Sequence, residues 1–223
     1  MIRLIFFYII TLLFISYSGT SQSSEMMLNA RVFDADRYTS YRGAAYLWDE
    51  PVLVTLISVN QDPLVGILGN YNMAEGEFEV YQGKKYVVIN KVEFPKIEYT
   101  DDEGQITTLI SIAHPKMSFG YCIQYHQEEN FMILESWKKK KSTRKVETPG
   151  KTEHFNNLTN SRDYFILKNG KLIIIKLSRK KITKEFGHKK EIKTYIKSND
   201  LNVKKIKDAV ILLKHMNEQG WIG

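Results

Sequence analysis

This chain of 223 residues contains a single cysteine, Cys122, and only 5 prolines. One cysteine cannot form an intrachain disulfide, so the fold must be stabilised by burial of side chains rather than by covalent cross-links. An exposed lone thiol would be a hazard in an oxidising compartment. We therefore expect Cys122 to be buried and to act as a small apolar residue.

The sequence also lacks the motifs that accompany metal, nucleotide and hydrolytic sites. No HExxH, CxxC or calcium-loop pattern occurs, and the 5 histidines have no metal-ligand spacing. There is no phosphate-binding loop, no dinucleotide fingerprint and no GxSxG elbow. We therefore expect no metal and no cofactor, and we predict that the protein is not an enzyme.

Cys122 and His126 are the one candidate catalytic pair, with the cysteine as nucleophile and the histidine as its base. On one strand the two side chains would share a face about 13 Å apart, at roughly 3.3 Å per residue, which is too far for a nucleophile and its base. A bend or a helical turn would bring them together. A Cys–His hydrolase is therefore the least favoured alternative for the function.

The first residues have the three-part layout of a secretory signal peptide. A short start containing Arg3 precedes an apolar run at residues 4–15, and small polar residues follow. The apolar run is shorter than the ~20 residues that a membrane-spanning helix needs, although an uncleaved anchor is the alternative. We expect cleavage after Ser21, no transmembrane segment in the mature chain, and a location in the periplasm, at the outer membrane or outside the cell.

Charge is unevenly distributed along the chain. Residues 22–137 have net charge −9 (8 basic and 17 acidic side chains), residues 138–161 have +5, and residues 162–223 have +10. Such asymmetry is typical of surfaces that bind anions or acidic partners, although both charge sets could simply be solvated. Export and the lack of nucleic-acid-binding signatures argue against nucleic acid as a partner.

Short runs rich in Val, Ile, Tyr and Phe, separated by turn residues, predict an antiparallel sheet. Gln82-Gly83 and Asn169-Gly170 suit tight hairpin turns, and Asp101 to Gly104 suits a longer one. The predicted strands are 52–59, 64–71, 77–82, 85–89, 92–99, 106–113, 119–125, 131–137, 163–168 and 171–176.

The hydrophobic period changes after residue 178 and predicts three helices. Ser178 can cap the first helix, which Gly187 ends. Asn202 can cap the third, whose apolar stripe runs from Ile206 to Met216. The sequence therefore predicts an α+β fold: an antiparallel β-meander or partly closed sheet with about three C-terminal helices packed on it.

The predicted organisation has four parts. A signal peptide (1–21) is followed by a β-rich body (22–137), a polar basic linker or long loop (138–161), and a hairpin with the C-terminal helices (162–223). The last part should pack on the body. The linker begins with a run of lysines directly after a strand, which is also typical of the solvated end of a β-hairpin.

Two stretches resemble a known family. They are EFEVYQGKKYVVINKVEFPKIEY (77–99) and DYFILKNGKLIIIKLSRKKITKEFGHKKEIKTYIKSNDLNVKKIKDAVILLKHMN (163–217). Both are similar in pattern to a functionally uncharacterised family of small exported Bacteroidota proteins, with a β-rich body and lysine-rich C-terminal helices. The resemblance implies export and an architecture, and it implies no catalytic residues. The basic run at 138–145 departs from the family pattern.

We therefore predict an exported, non-enzymatic cell-envelope protein that acts through contacts with an unidentified envelope protein, in an accessory or structural role. The alternative is a binding module for an anionic envelope lipid or glycan. The residues of that anion or partner patch would be Lys138, Lys139, Lys140, Lys141, Arg144 and Lys145.

Overall fold

The computed structural model describes residues 31–34, 37–82, 85–115, 117, 120–148 and 151–223. The predicted signal peptide (1–21) and Gly83 of the first predicted turn lie outside the described residues. The strands are β1 (Val32–Asp34), β2 (Tyr41–Arg42), β3 (Val52–Ile57), β4 (Leu64–Asn72), β5 (Glu77–Gln82), β6 (Lys85–Val88), β7 (Lys96–Thr100), β8 (Ile106–Ser111), β9 (Tyr121–Glu128), β10 (Phe131–Thr148), β11 (Lys151–Lys168) and β12 (Lys171–Ile175). The helices are α1 (Arg179–Phe186), α2 (Lys189–Ser198) and α3 (Ile206–Glu218).

The described strands form one sheet in the order β1-β6-β5-β4-β3-β7-β8-β9-β10-β11-β12. Two antiparallel meanders, β3 to β6 and β7 to β12, meet where β3 pairs with β7. The short β2 pairs in parallel with β11, which makes the sheet mixed. The predicted α+β class, with a meander and three C-terminal helices, is confirmed.

The turns follow from residues that tolerate positive φ. Asn169 (φ 48°) and Gly170 (φ 75°) join β11 to β12, as expected for a two-residue hairpin. Asp101 accepts hydrogen bonds from the backbone N–H groups of Glu103 and Gln105, and Gly104 has φ 78°. Of the three predicted turns, the two that lie within the described residues are therefore present.

The core consists of three apolar clusters. The first covers one face of β3 to β9 and includes Leu56, Tyr71, Phe78, Ile97 and Tyr121. The second lies between the helices and β9 to β12 and includes Ile133, Ile166, Ile182, Leu212 and Met216. The third lies on the opposite face of β9 to β12 and includes Cys122, Leu134, Phe165 and Leu172.

The helix boundaries agree with the sequence at α1 and disagree at α3. The Ser178 side chain accepts a hydrogen bond from the Lys181 N–H, and Gly187 ends α1 with φ 74°. The predicted cap of the last helix is wrong by three residues, because α3 begins after Lys205, which makes no side-chain capping bond. Asn202 instead donates its backbone N–H to the Asp208 carboxylate, across the start of the helix.

The prediction of a linker or long loop at 138–161 is wrong. The strands β10 and β11 pair residue by residue from Phe131 with Lys168 to Thr148 with Lys151, so that both predicted boundaries of the linker fall inside strands. A ladder between two strands satisfies backbone hydrogen-bonding groups whether or not the side chains are apolar. Low apolar content therefore did not indicate a loop here.

Candidate functional site

The basic ribbon is the part of the β10–β11 hairpin that extends beyond its neighbours, residues 136–148 and 151–163. Strand β9 pairs with β10 only from Phe131 to Glu135, and β12 pairs with β11 only from Tyr164 to Lys168. Beyond those residues the two strands pair mainly with each other. The ribbon therefore extends beyond the ladder formed with β9 and β12.

Contacts near its base hold the ribbon in position. The Lys139 N–H donates to the Met73 carbonyl at 2.8 Å, and β2 pairs with Asn156 and Asn157 on the other edge. Gly43, at φ +99°, lies so close to β11 that an added Cβ would be 2.7 Å from the Leu158 carbonyl oxygen. Only glycine allows this approach.

Side chains alternate along β10, which divides the cations of the basic run between two faces. The Trp137 face carries Trp137, Lys139, Lys141 and Lys145. The Lys140 face carries Lys138, Lys140 and Arg144. The two sets differ in their partners.

On the Trp137 face the lysines have partners. Lys141 forms an ion pair with Glu75, and its hydrogen bond raises the pKa of Lys141 and lowers the pKa of Glu75. Lys139 donates to the Asn160 side chain, and Lys145 lies 2.5 Å from a Glu147 carboxylate oxygen. Burial, and then the nearby Arg162, lower the pKa of Lys139. Much of the positive charge on this face is therefore compensated within the molecule.

On the Lys140 face two cations have no carboxylate partner among the described residues. Lys138 lies 3.2 Å from Asp163, but no ion pair reaches Lys140 or Arg144 within that part of the chain. Arg144 is directly opposite Phe155 in the ladder, and the Arg42 guanidinium lies 3.5 Å from the centre of the Phe155 ring. Arg144 and Arg42 thus lie beside an aromatic ring, and Lys140 lies on the same solvated face four residues along β10.

The sequence-predicted patch is therefore only partly a single surface. The structure places Lys140 and Arg144 together with Arg42, and it places Lys139, Lys141 and Lys145 on the opposite face. Arg42 and Phe155 were missed, because the pairing of β2 with β11 is a contact over more than 100 residues. The sequence contained one signal for this surface: residues 140 and 144 are an even number of residues apart, so on a strand their side chains share a face.

A buried polar network stabilises the segment that carries β2. Glu79 is fully buried; its carboxylate accepts hydrogen bonds from Arg37, from the Asn72 amide at 2.8 Å and from the Tyr46 hydroxyl at 2.9 Å. Burial, and then the Glu79 charge, raise the pKa of Tyr46. Tyr38 in turn accepts a hydrogen bond from Asn72. Both Glu79 oxygens have partners, so we interpret the network as structural.

A second buried carboxylate lies at the base of the ribbon. The Tyr125 hydroxyl donates to Glu135 at 2.6 Å, and the nearest nitrogen of Arg162 is 3.7 Å from the other carboxylate oxygen. The Arg162 guanidinium also lies 3.9 Å from the centre of a Trp137 ring. Arg162 therefore compensates Glu135 and covers the indole of Trp137.

The possible Cys–His pair is not assembled. Cys122 is 1% exposed in the third apolar cluster, and burial raises the pKa of its thiol to about 12. His126 is opposite Ile133 on the other face of the sheet, with its Nε2 2.8 Å from a Glu128 oxygen. The sequence argument placed both side chains on one face, but a β-bulge at Tyr125 reverses the alternation between them. The expected burial of Cys122 is confirmed.

No group of three or more His, Cys, Asp and Glu residues with the arrangement of a metal site occurs in the described part of the chain. Within the same residues, no helix has the length and apolar character required to cross a membrane.

Comparisons with protein-family models, curated proteins and solved structures give no match for this chain. The resemblance to exported Bacteroidota proteins stays a prediction.

Proposed function

We propose that this chain is an exported, non-enzymatic cell-envelope protein that binds phosphate-bearing anions through the Lys140 face of its basic ribbon. The observation that carries the proposal is the contrast between the two faces. On one face Lys141 and Lys145 have carboxylate partners and Lys139 donates to the Asn160 amide, whereas Lys140 and Arg144 on the other have no carboxylate partner in the described residues. Cations that are solvated and lie on one face are the ones available to an external anion.

The geometry of this surface suits an extended anionic array rather than one small ion. Lys140 and Arg144 are four residues apart on one strand, a separation of about 13 Å at roughly 3.3 Å per residue. That distance exceeds the reach of a single phosphate group. Lipid head groups at a membrane surface, or successive phosphates on a glycan, supply charges at such intervals.

Export supports an envelope ligand over a cytoplasmic one. The signal-peptide pattern in residues 1–21 predicts a chain that meets phospholipid head groups and phosphorylated glycans. Each basic residue close to an anionic surface contributes about 1 kcal/mol of binding free energy. One residue therefore binds weakly, whereas several together give measurable affinity.

The test is cosedimentation with phosphatidylcholine vesicles prepared with and without phosphatidylglycerol. A parallel arm measures binding to soluble inorganic polyphosphate, which distinguishes a membrane surface from a free polyanion. The Lys140→Gln/Arg144→Gln variant should bind the preferred probe about 30-fold more weakly, since two residues at about 1 kcal/mol each are removed. High salt should abolish binding by the unaltered protein.

The matched control is Lys139→Gln/Lys145→Gln, which removes the same charge from the same strand on the Trp137 face. It should retain most of the affinity. Equal losses of affinity in the two variants would mean that binding follows net charge alone, which would contradict the proposal. If the unaltered protein binds neither the vesicles nor polyphosphate, the proposal is wrong.

Contact with an envelope protein is the second candidate function. One observation favours it: β12 ends the sheet with the Ile174 side chain 56% exposed on an edge that no described strand covers. Crosslinking in the cell envelope followed by mass spectrometry tests it, and failure to enrich any protein would count against this candidate.

A further inference from the structure

The outer edge of β12 has free backbone hydrogen-bonding groups. The two-residue turn makes Lys168 and Lys171 the closing, hydrogen-bonded pair of the β11–β12 hairpin. From there, hydrogen-bonded pairs alternate with pairs whose backbone groups point away from the partner strand. Leu172 and Ile174 therefore direct their N–H and C=O groups away from β11. Among the described residues, no hydrogen bond reaches these groups.

A groove lined by apolar and charged residues runs beside this edge. A cavity of about 210 Å³ lies between β12 and α1, lined by Ile174, Ile175 and Ile182 together with charged residues of both elements. Ile175 and Ile182 are buried and form its floor, whereas Ile174 is exposed. The cavity accommodates an apolar side chain but is smaller than the usual pocket for a drug-sized ligand. We call this cavity together with the outer edge of β12 the edge groove.

The rim of the edge groove is positively charged. Lys176, Lys181 and Lys184 line it, and Glu185 is the single carboxylate among its lining residues. All four are exposed. An occupant that carries carboxylates would complement this rim, whereas a basic occupant would be repelled.

We infer that the edge groove binds an extended, acidic segment of a partner protein, which pairs with β12 as an additional strand. The free groups of Leu172 and Ile174 would form the ladder. Because side chains alternate in a strand, residues of the segment opposite Ile173 and Ile175 would enter the cavity beside α1. Residues between them would lie next to Ile174 on the other face, and acidic side chains that flank the cavity-facing residues on the α1 face would reach the lysines of the rim.

A second copy of this chain is a poor occupant. Pairing two β12 strands edge to edge would place the lysine-rich rims of both copies next to each other. Like charges brought together in this way oppose association. The charge of the groove therefore favours a different, acidic chain.

The experiment uses the mature chain and a synthetic octapeptide that alternates threonine with, in order, glutamate, valine, valine and glutamate, so that these four side chains lie on the face beside α1. Binding is measured by fluorescence anisotropy of labelled peptide, and the contact site by amide chemical shifts. A peptide of the same composition, with the valines and glutamates in separate blocks, controls for net charge. We expect the alternating peptide to bind more tightly and to shift the amides of Leu172 and Ile174.

Two neighbouring lysines on α1 provide a matched pair of variants. Lys181→Glu reverses a charge inside the edge groove and should weaken binding about fivefold or more. Lys180→Glu makes the same change on an exposed residue that does not line the groove, so binding should be nearly unchanged. Ile174→Pro removes the outward N–H but keeps the inward ladder, and should abolish peptide binding without unfolding the protein.

Three results would overturn the inference: no binding of the alternating peptide, equal effects of the two lysine variants, or shifts that fall on other strands. A dimer of the free protein that Ile174→Pro dissociates would assign the edge to a second copy instead. The Lys140→Gln/Arg144→Gln variant should bind the peptide normally, because this inference does not rest on the function proposed for the basic ribbon.

Discussion

Removing Arg37, the partly buried partner of the fully buried Glu79, should strongly destabilise the protein. The Arg37 side chain is 16% exposed and its partner Glu79 is 0% exposed. Arg37→Ala leaves a buried carboxylate without its opposite charge, and loss of one partner of a buried pair costs about 3–5 kcal/mol. Glu79 would retain its hydrogen bonds from Asn72 and Tyr46. We therefore expect the lower end of that range, a loss of about 3 kcal/mol in the free energy of unfolding.

The same sheet offers a matched control. Arg31 pairs with Glu77, but the Arg31 side chain is 64% exposed, so Arg31→Ala should cost only about 0–1 kcal/mol. Urea unfolding of both variants, followed by circular dichroism, gives the two free energies from the shift in midpoint.

A double variant distinguishes two causes of destabilisation, an uncompensated buried charge and a general loss of packing. In Arg37→Ala/Glu79→Gln the carboxylate is neutral, so the double variant should be more stable than Arg37→Ala alone. If Arg37→Ala and Arg31→Ala cost the same, or if the double variant is the least stable protein, the reasoning about buried charge is wrong.

Three further predictions concern other parts of the molecule. Because the pKa of Cys122 is raised to about 12, the native thiol should not react with a disulfide reagent at pH 8 and should react on unfolding; rapid native reaction would contradict its burial. Gly43→Ala should destabilise the fold more than Gly104→Ala, although both have positive φ, because only Gly43 lies against the β11 backbone; thermal melts compare them. The pKa of Glu75 is lowered by Lys141, so their pair stabilises the fold above the ordinary carboxyl pKa of 4.5 and is lost as pH falls through the lowered value. Lys141→Gln should therefore cost up to about 1 kcal/mol at pH 7 and nothing once Glu75 is protonated, which urea titrations at both pH values would check.

Much of the fold was predictable from local patterns. Val52–Ile57, Glu77–Gln82 and Lys171–Ile175 appear within one or two residues of their predicted limits, since apolar β-branched runs between turn residues favour strands. The Ser178 cap was also predictable, because a cap is a contact over three residues.

The sequence-based predictions fail where the conformation of a segment depends on contacts with residues far away in the sequence. Residues 138–161 lack an apolar stripe, and their strand conformation depends on pairing across the hairpin and on β2. The bulge at Tyr125 reverses the relative orientation of Cys122 and His126, and no turn residue in the sequence indicates it.

The same division applies to the functional surfaces. The sequence by itself determined the basic character of the chain's second half, the single cysteine and the class of the fold, because these depend on composition and on short-range periodicity. Only the tertiary structure decided which lysines of the run at 138–141 have partners, because Glu75 and Asp163 reach them across the fold. Only the tertiary structure brought Arg42 to Phe155 and left the edge of β12 without a paired strand among the described residues, because strand order and long-range pairing are set by packing of the whole core.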